Sequence, residues 1–231
     1  MVKTRGLLLS TLVLIMVVGT ASASVTIDFG TGDAGAAGTI TKLVGNNASG
    51  SGIGVDAMTV VGDPGYNGVY DVIGTVNGSG ELLVGSLDFN TTTNTITITG
   101  GITCGGLLAP TTACSAADIL ANKVLVVGGT PLLQGTGIFS SVVVSANGST
   151  ISVTFGDADQ KAAALLTALG LPANLGFNLG AFTLGGQGPS PYTATSTDVL
   201  NTSVPEPTSI LLLGTVMLGV TQLIRRRTSK A

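Results

Sequence analysis

The sequence predicts an all-β fold: an antiparallel β-sandwich, with a jelly-roll-like topology as one arrangement that fits, and one short helix. Three observations lead there. Short runs rich in β-branched and apolar residues recur along the chain. Gly, Asn, Asp and Pro punctuate between them. Thr95-Ile96-Thr97-Ile98-Thr99 alternates strictly, as a strand with one wet face does. Many short strands at this spacing fit a sandwich.

Taken in order, residues 25–29, 39–44, 53–61, 69–76 and 82–89 read as strands, followed by the alternating run 95–99. Residues 123–127, 138–145, 150–155, 176–184 and 192–200 continue the series. Asn77-Gly78 and Asn147-Gly148 sit between apolar segments. Asn-Gly tolerates positive φ at both central turn positions, so each predicts a tight hairpin. Residues 90–94 form a third, longer connection. Residues 157–169 break the pattern with Ala162-Ala163-Ala164-Leu165-Leu166. Asp157 is available as N-cap, with Gln160 three residues later, and Gly170 and Pro172 follow as a stop, so a helix is expected. No internal repeat is evident. The 35 glycines among 231 residues are about twice the usual share, but the recurring apolar runs argue against disorder.

Both ends carry targeting features. Lys3 and Arg5 precede an apolar stretch at residues 7–18, and Ala21-Ser22-Ala23 offers a small-residue cleavage site. Residues 1–23 therefore read as a secretory signal peptide, removed by signal peptidase. At the other end stand Val204-Pro205-Glu206-Pro207, an apolar run at residues 210–224, and Arg225-Arg226-Arg227. As a helix the run would span about 22 Å, against a hydrocarbon core of about 30 Å. Thr208 and Ser209 extend it, and the arginines can snorkel. The triple arginine is a cytoplasmic basic stop, which leaves the body on the far side of the membrane. A plain membrane anchor is indifferent to Pro-Glu-Pro. A glycolipid-anchor signal normally ends without a strong basic stop, and no Leu-Pro-x-Thr-Gly sequence is present.

Together, Pro-Glu-Pro, the short apolar segment with Gly214 and Gly219, and the arginine cluster resemble the PEP-CTERM sorting signal of Gram-negative bacteria. The resemblance covers residues 204–231. It implies transient anchoring in the inner membrane, recognition at Val204, Pro205, Glu206 and Pro207, and cleavage there by an exosortase-type transpeptidase. Delivery to the cell surface or extracellular matrix would follow. By this resemblance Glu206 is a recognition residue and not a catalyst. Pro205 and Pro207 hold the tripeptide extended, the form a protease-like site grips.

The body is then residues 24–203. It contains three lysines, Lys42, Lys123 and Lys161, against eleven acids, a net charge of −8. That balance argues against nucleic acid, whose phosphates need cationic partners, and against anionic lipid. Cys104 and Cys114 fall in an oxidising compartment and are expected to bridge, closing a short loop. Metal ligation by two lone cysteines, in a chain without histidine, is a poor alternative.

Chemistry is harder to find. Gly30-Thr31-Gly32-Asp33-Ala34-Gly35 formally matches a dinucleotide fingerprint, but no helix follows to receive phosphates, so it reads as a flexible turn. Without histidine a Ser-His-Asp device is excluded. Two-carboxylate hydrolysis stays open, yet no pair stands out; Asp157 and Asp159 more simply favour a helix start. Asp33, Asp56 and Asp63 lack regular calcium-loop spacing. Asn47, Asn77, Asn90, Asn147 and Asn201 begin N-x-S/T triplets, for which turn formation is a sufficient reason. No cofactor and no metal are expected. The first expectation is a non-enzymatic surface or extracellular matrix protein that contributes adhesion, biofilm architecture or interaction with extracellular polysaccharide. A secreted glycan- or calcium-binding module comes second and a carboxylate-dependent hydrolase third.

Overall fold

The computed structural model describes residues 24–31, 37–63, 65–76, 82–105, 114–136 and 138–204. Ser24–Val204 forms one compact unit. The first half contains β1 (Thr26–Gly30), β2 (Thr39–Lys42), β3 (Ala48–Val55), β4 (Ala57–Val61), β5 (Gly68–Val76), β6 (Leu82–Asn90) and β7 (Thr95–Thr103). Then come α1 (Ala116–Leu120), β8 (Val124–Thr136), β9 (Ile138–Val144), β10 (Thr150–Lys161), α2 (Ala163–Ala168), β11 (Phe177–Gln187) and β12 (Tyr192–Ser203). The all-β antiparallel class expected from the sequence is the class observed.

The pairing runs β1-β4-β5-β6-β3-β2-β12-β11-β10-β8-β7, with β9 on β10. Additional ladders join β1 to β12, and β7 to both β5 and β6. The sheet therefore closes on itself, and the first strand lies beside the last. Side-chain alternation fills the interior. In β7, Ile96 and Ile98 are buried while the threonines between them are half-buried. Ile27, Phe29, Met58, Tyr70, Leu87 and Phe177 extend the same core. Each such side chain contributes about 1.5–3 kcal/mol on burial. Tyr70 keeps its hydroxyl satisfied by donating to Tyr66 O at 2.9 Å. Burial pushes its phenol well above the usual range, with Tyr66 and Asp63 adding to the rise.

Close approach of unpaired backbones depends on glycine in one place. A Cβ on Gly128 in β8 would run into the carbonyl of Gly74 in β5. Two larger residues there would push these strands apart.

Several boundaries differ from the sequence reading. The expected strand at 53–61 is two strands, broken at Asp56. Its N–H donates to Gly30 O at 3.3 Å, and its carbonyl accepts from Val72 at 2.8 Å, as the chain leaves β6 for β1 and β5. β8 runs on past 127 because Gln134 and Leu133 pair with Thr97 and Ile98 of β7. Asp157 is not a helix cap. β10 continues to Lys161, with Asp157 opposite Leu179 of β11 and Asp159 opposite Gly135 of β8. The helix then starts at Ala163 without a side-chain cap. α1 was not expected; Ser115 and Asp118 form its capping box, at 3.1 Å and 3.0 Å. Asn147-Gly148 does make a hairpin, but within a loop of five residues, and only Gly148 has positive φ (67°). Asn147 instead accepts from Ser149 N–H at 3.1 Å and from the Ser145 hydroxyl at 2.7 Å. Asn77-Gly78 and the glycine-rich residues 32–35 lie outside the described residues.

Cys104 and Cys114 are disulfide-bonded, with Cα atoms 5.7 Å apart, and both are buried. Replacing both by serine is expected to cost about 2–3 kcal/mol by freeing the closed loop in the unfolded chain. Urea unfolding of wild type and double variant measures this. Gly128→Ala is expected to cost about 1–3 kcal/mol through overpacking against Gly74; an unchanged denaturation midpoint would contradict the close approach.

Candidate functional site

The first and last strands of the body are held together by the β1–β12 ladder, which pairs Thr26 with Thr202, Ile27 with Asn201 and Asp28 with Leu200. Alternation along β12 sends Val199, Asn201 and Ser203 inward. Asn201 is fully buried and its amide donates to Ile27 O at 3.1 Å and Val199 O at 2.9 Å. The last bonds come at the very end. Val25 N–H donates to Ser203 Oγ at 2.8 Å. Ser203 N–H donates to Val25 O at 2.7 Å, and Val204 N–H donates to Gly176 O at 2.9 Å. Pro205 has no N–H, so it cannot extend the ladder.

Val204 is thus the described member of the recognition segment, exposed at the end of a pinned strand. Pro205, Glu206, Pro207, Arg225, Arg226, Arg227, Ala21 and Ala23 lie outside the described residues. Ser24, which follows the expected N-terminal cut, precedes the residue bonded to Ser203.

A family model described as the PEP-CTERM protein-sorting motif matches residues 203–227. The chain carries a PEP-CTERM sorting motif. The match begins at Ser203, inside β12, so the motif overlaps the fold. The motif implies export, sorting to the surface and an exosortase as processing partner. No curated protein and no solved structure matches the chain. Among the described residues, no helix is long and apolar enough to cross a membrane.

The same ladder assembles an acid pair that the sequence could not reveal. Asp28 and Asp198 are diagonal neighbours on the outer face, and their side chains share a hydrogen bond. The Asp28 carboxyl is pushed up to about 6. Burial is the largest cause, then the hydrogen bond and repulsion from Asp198, against a backbone donor from Val199. Asp28 Oδ1 is buried and has no hydrogen-bond partner among protein atoms. A half-buried carboxyl beside a second acid favours its neutral form. Nearby in the ladder order, burial and Asp56 raise Asp71. On α1, by contrast, hydrogen bonds from the Ser115 side chain and backbone hold Asp118 low, and Lys123 adds an ion pair at 3.3 Å.

Lys161 is buried with its ammonium 5.0 Å from the Phe177 ring and 5.8 Å from the Phe29 ring. The quadrupoles of both rings favour a cation there. On the outer face, an open groove of about 310 Å³ runs along Val143, Thr150, Ser152, Gly185 and Thr195. None of its lining residues is ionisable, and the acid pair is not part of it.

The pH dependence follows from the sign of the shift. Asp28 is raised above its ordinary value of 3.8. The stability it lends is therefore fully present below that value and lost as pH rises through about 6. Asp28→Asn is expected to be more stable than wild type at pH 7–8, by about 1 kcal/mol after discounting for partial exposure. The gain should vanish below about pH 4. Thermal unfolding across this range checks it; a pH-independent difference would refute the raised Asp28 carboxyl.

Proposed function

We propose that the body is a non-catalytic structural component of the cell surface or extracellular matrix, in contact with extracellular polysaccharide. The observation that carries this reading is the sorting motif running directly out of β12 of a closed, disulfide-bonded β fold. Signal peptidase cuts at one end and an exosortase at the inner membrane cuts at the other. Both cuts leave Val25 and Ser203 paired, so the exported unit keeps its whole ladder. A closed sheet with a covalent loop suits a compartment rich in proteases and without chaperones. Its outward positions are hydroxyls more often than charges, for example Thr193, Thr195 and Ser152, which suits contact with hydrated sugar polymers.

The Asp28–Asp198 pair favours one second reading, a carboxylate-dependent hydrolase. Mature protein would then cleave polysaccharide or peptide with a pH profile that Asp28→Asn abolishes. The structural reading expects no such turnover.

The test is intact mass and fractionation of the protein from its host, beside Glu206→Ala. Wild type is expected to end near Pro-Glu-Pro and to fractionate with surface polymer. The variant is expected to stay uncut in the inner membrane. Wild type released as a soluble protein that leaves matrix mass unchanged when deleted would defeat the structural role while leaving sorting intact.

A further inference from the structure

We propose that β9 is a strand-addition edge through which two copies of this chain pair. Among the described residues, every other strand has at least two ladder partners; β9 pairs with β10 alone. The phase of that pairing fixes what its other side offers. Ser145 N–H donates to Thr150 O at 3.0 Å. Val143 therefore exchanges backbone bonds with Ser152, and Ser141 with Thr154, because bonded and non-bonded pairs alternate. The N–H and C=O groups of Val142 and Val144 face the open side. Only another extended strand satisfies such a row.

Composition identifies the occupant. β9 reads Ile-Phe-Ser-Ser-Val-Val-Val, seven residues with no charge, proline or glycine. Charge and proline, two usual guards of an exposed edge, are missing, and the register shift against β10 falls before Ser141, which leaves residues 141–144 regularly paired; high β propensity with no charge is the pattern that self-pairs. No charged residue occurs between Lys123 and Asp157, so β8, β9 and most of β10 form an uncharged region in a body of net charge −8. Two copies repel each other wherever acids meet, and here no charge lies on the approaching strands. Pairing β9 with β9 about a two-fold axis needs no second surface and satisfies both rows at once. The Val143 side chain, 59% exposed on the outer face, would gain a cross-strand neighbour. The inference does not depend on the matrix role.

The test uses mature protein from the host, in sedimentation across a concentration series, with residue-resolved amide exchange. Wild type is expected to self-associate, and the Val142 and Val144 amides to become protected as it does. Val143→Lys is expected to weaken association about tenfold or more. Val127→Lys makes the same charge change at a 72% exposed position on β8 and is expected to behave as wild type. Protein that stays monomeric at every concentration overturns the proposal. So does association that leaves those two amides unprotected, or that Val143→Lys does not weaken. Protection that appears only when other exported host proteins are added assigns the edge to a different partner and overturns the second copy as its occupant.

Discussion

The ladder between the first strand and the last is the constraint on which the rest of the structure depends. β1 has β4 on one side and β12 on the other, so the sheet has no end there. Removing that ladder would open two edges, unpair the backbone around Ile27 and Val199, and expose Asn201, whose amide N–H groups donate to carbonyls of these two strands. The acid pair exists for the same reason. Asp28 and Asp198 are brought together by the register and by nothing local. Burial of the Asp28 carboxyl is a cost the ladder carries at neutral pH, and the neighbouring Asp198 adds to it.

Closure of this kind depends on contacts distant in sequence. The bond from Asn201 to Ile27 joins residues 174 apart in sequence, and long loops must be ordered before such contacts give any return. The disulfide acts locally, over a separation of 10 residues. It fixes the connection between β7 and α1, at whose end Cys104 N–H donates to Lys123 O at 3.0 Å. Glycine has a matching role within the sheet. Gly74 and Gly128 let β5 and β8 approach although they share no ladder. Local staples and close approaches prepare the curvature that the terminal strands then lock.

The sequence made strand character legible wherever alternation was clean, as at residues 95–99, because period-2 burial needs no knowledge of partners. It made the disulfide legible because two cysteines in an exported chain leave one pairing. It failed where tertiary pairing overrides local preference. Residues 157–161 look like a helix start, yet two neighbouring strands claim their backbone groups. The break at Asp56 marks a change of partner, which one aspartate within a strand-like run does not reveal. The capping box at Ser115 and Asp118 was present in the sequence as Ser-x-x-Asp and could have been read. The acid pair, the bond from Val25 to Ser203 and the open edge of β9 could not, since each follows from strand order.

The overlap of motif and fold at Ser203 has a physical logic of its own. A ladder strand and a segment gripped by a peptidase both need extended backbone, so one continuous strand can serve both up to the point where hydrogen bonding must stop. Proline sets that point. Val204 makes the last ladder bond, to Gly176, and the next residue has no N–H to offer. Proline also biases the residue before it toward extended conformations, so Val204 leaves the sheet in the direction the strand already had. With no spacer between the last bond and the Pro-Glu-Pro segment, any enzyme that needs residues upstream of Pro205 must either free the last pair of β12 or engage the folded edge beside it. The strength of the pairing at Val25 and Ser203 therefore bears on access to the sorting junction as well as on the stability of the body.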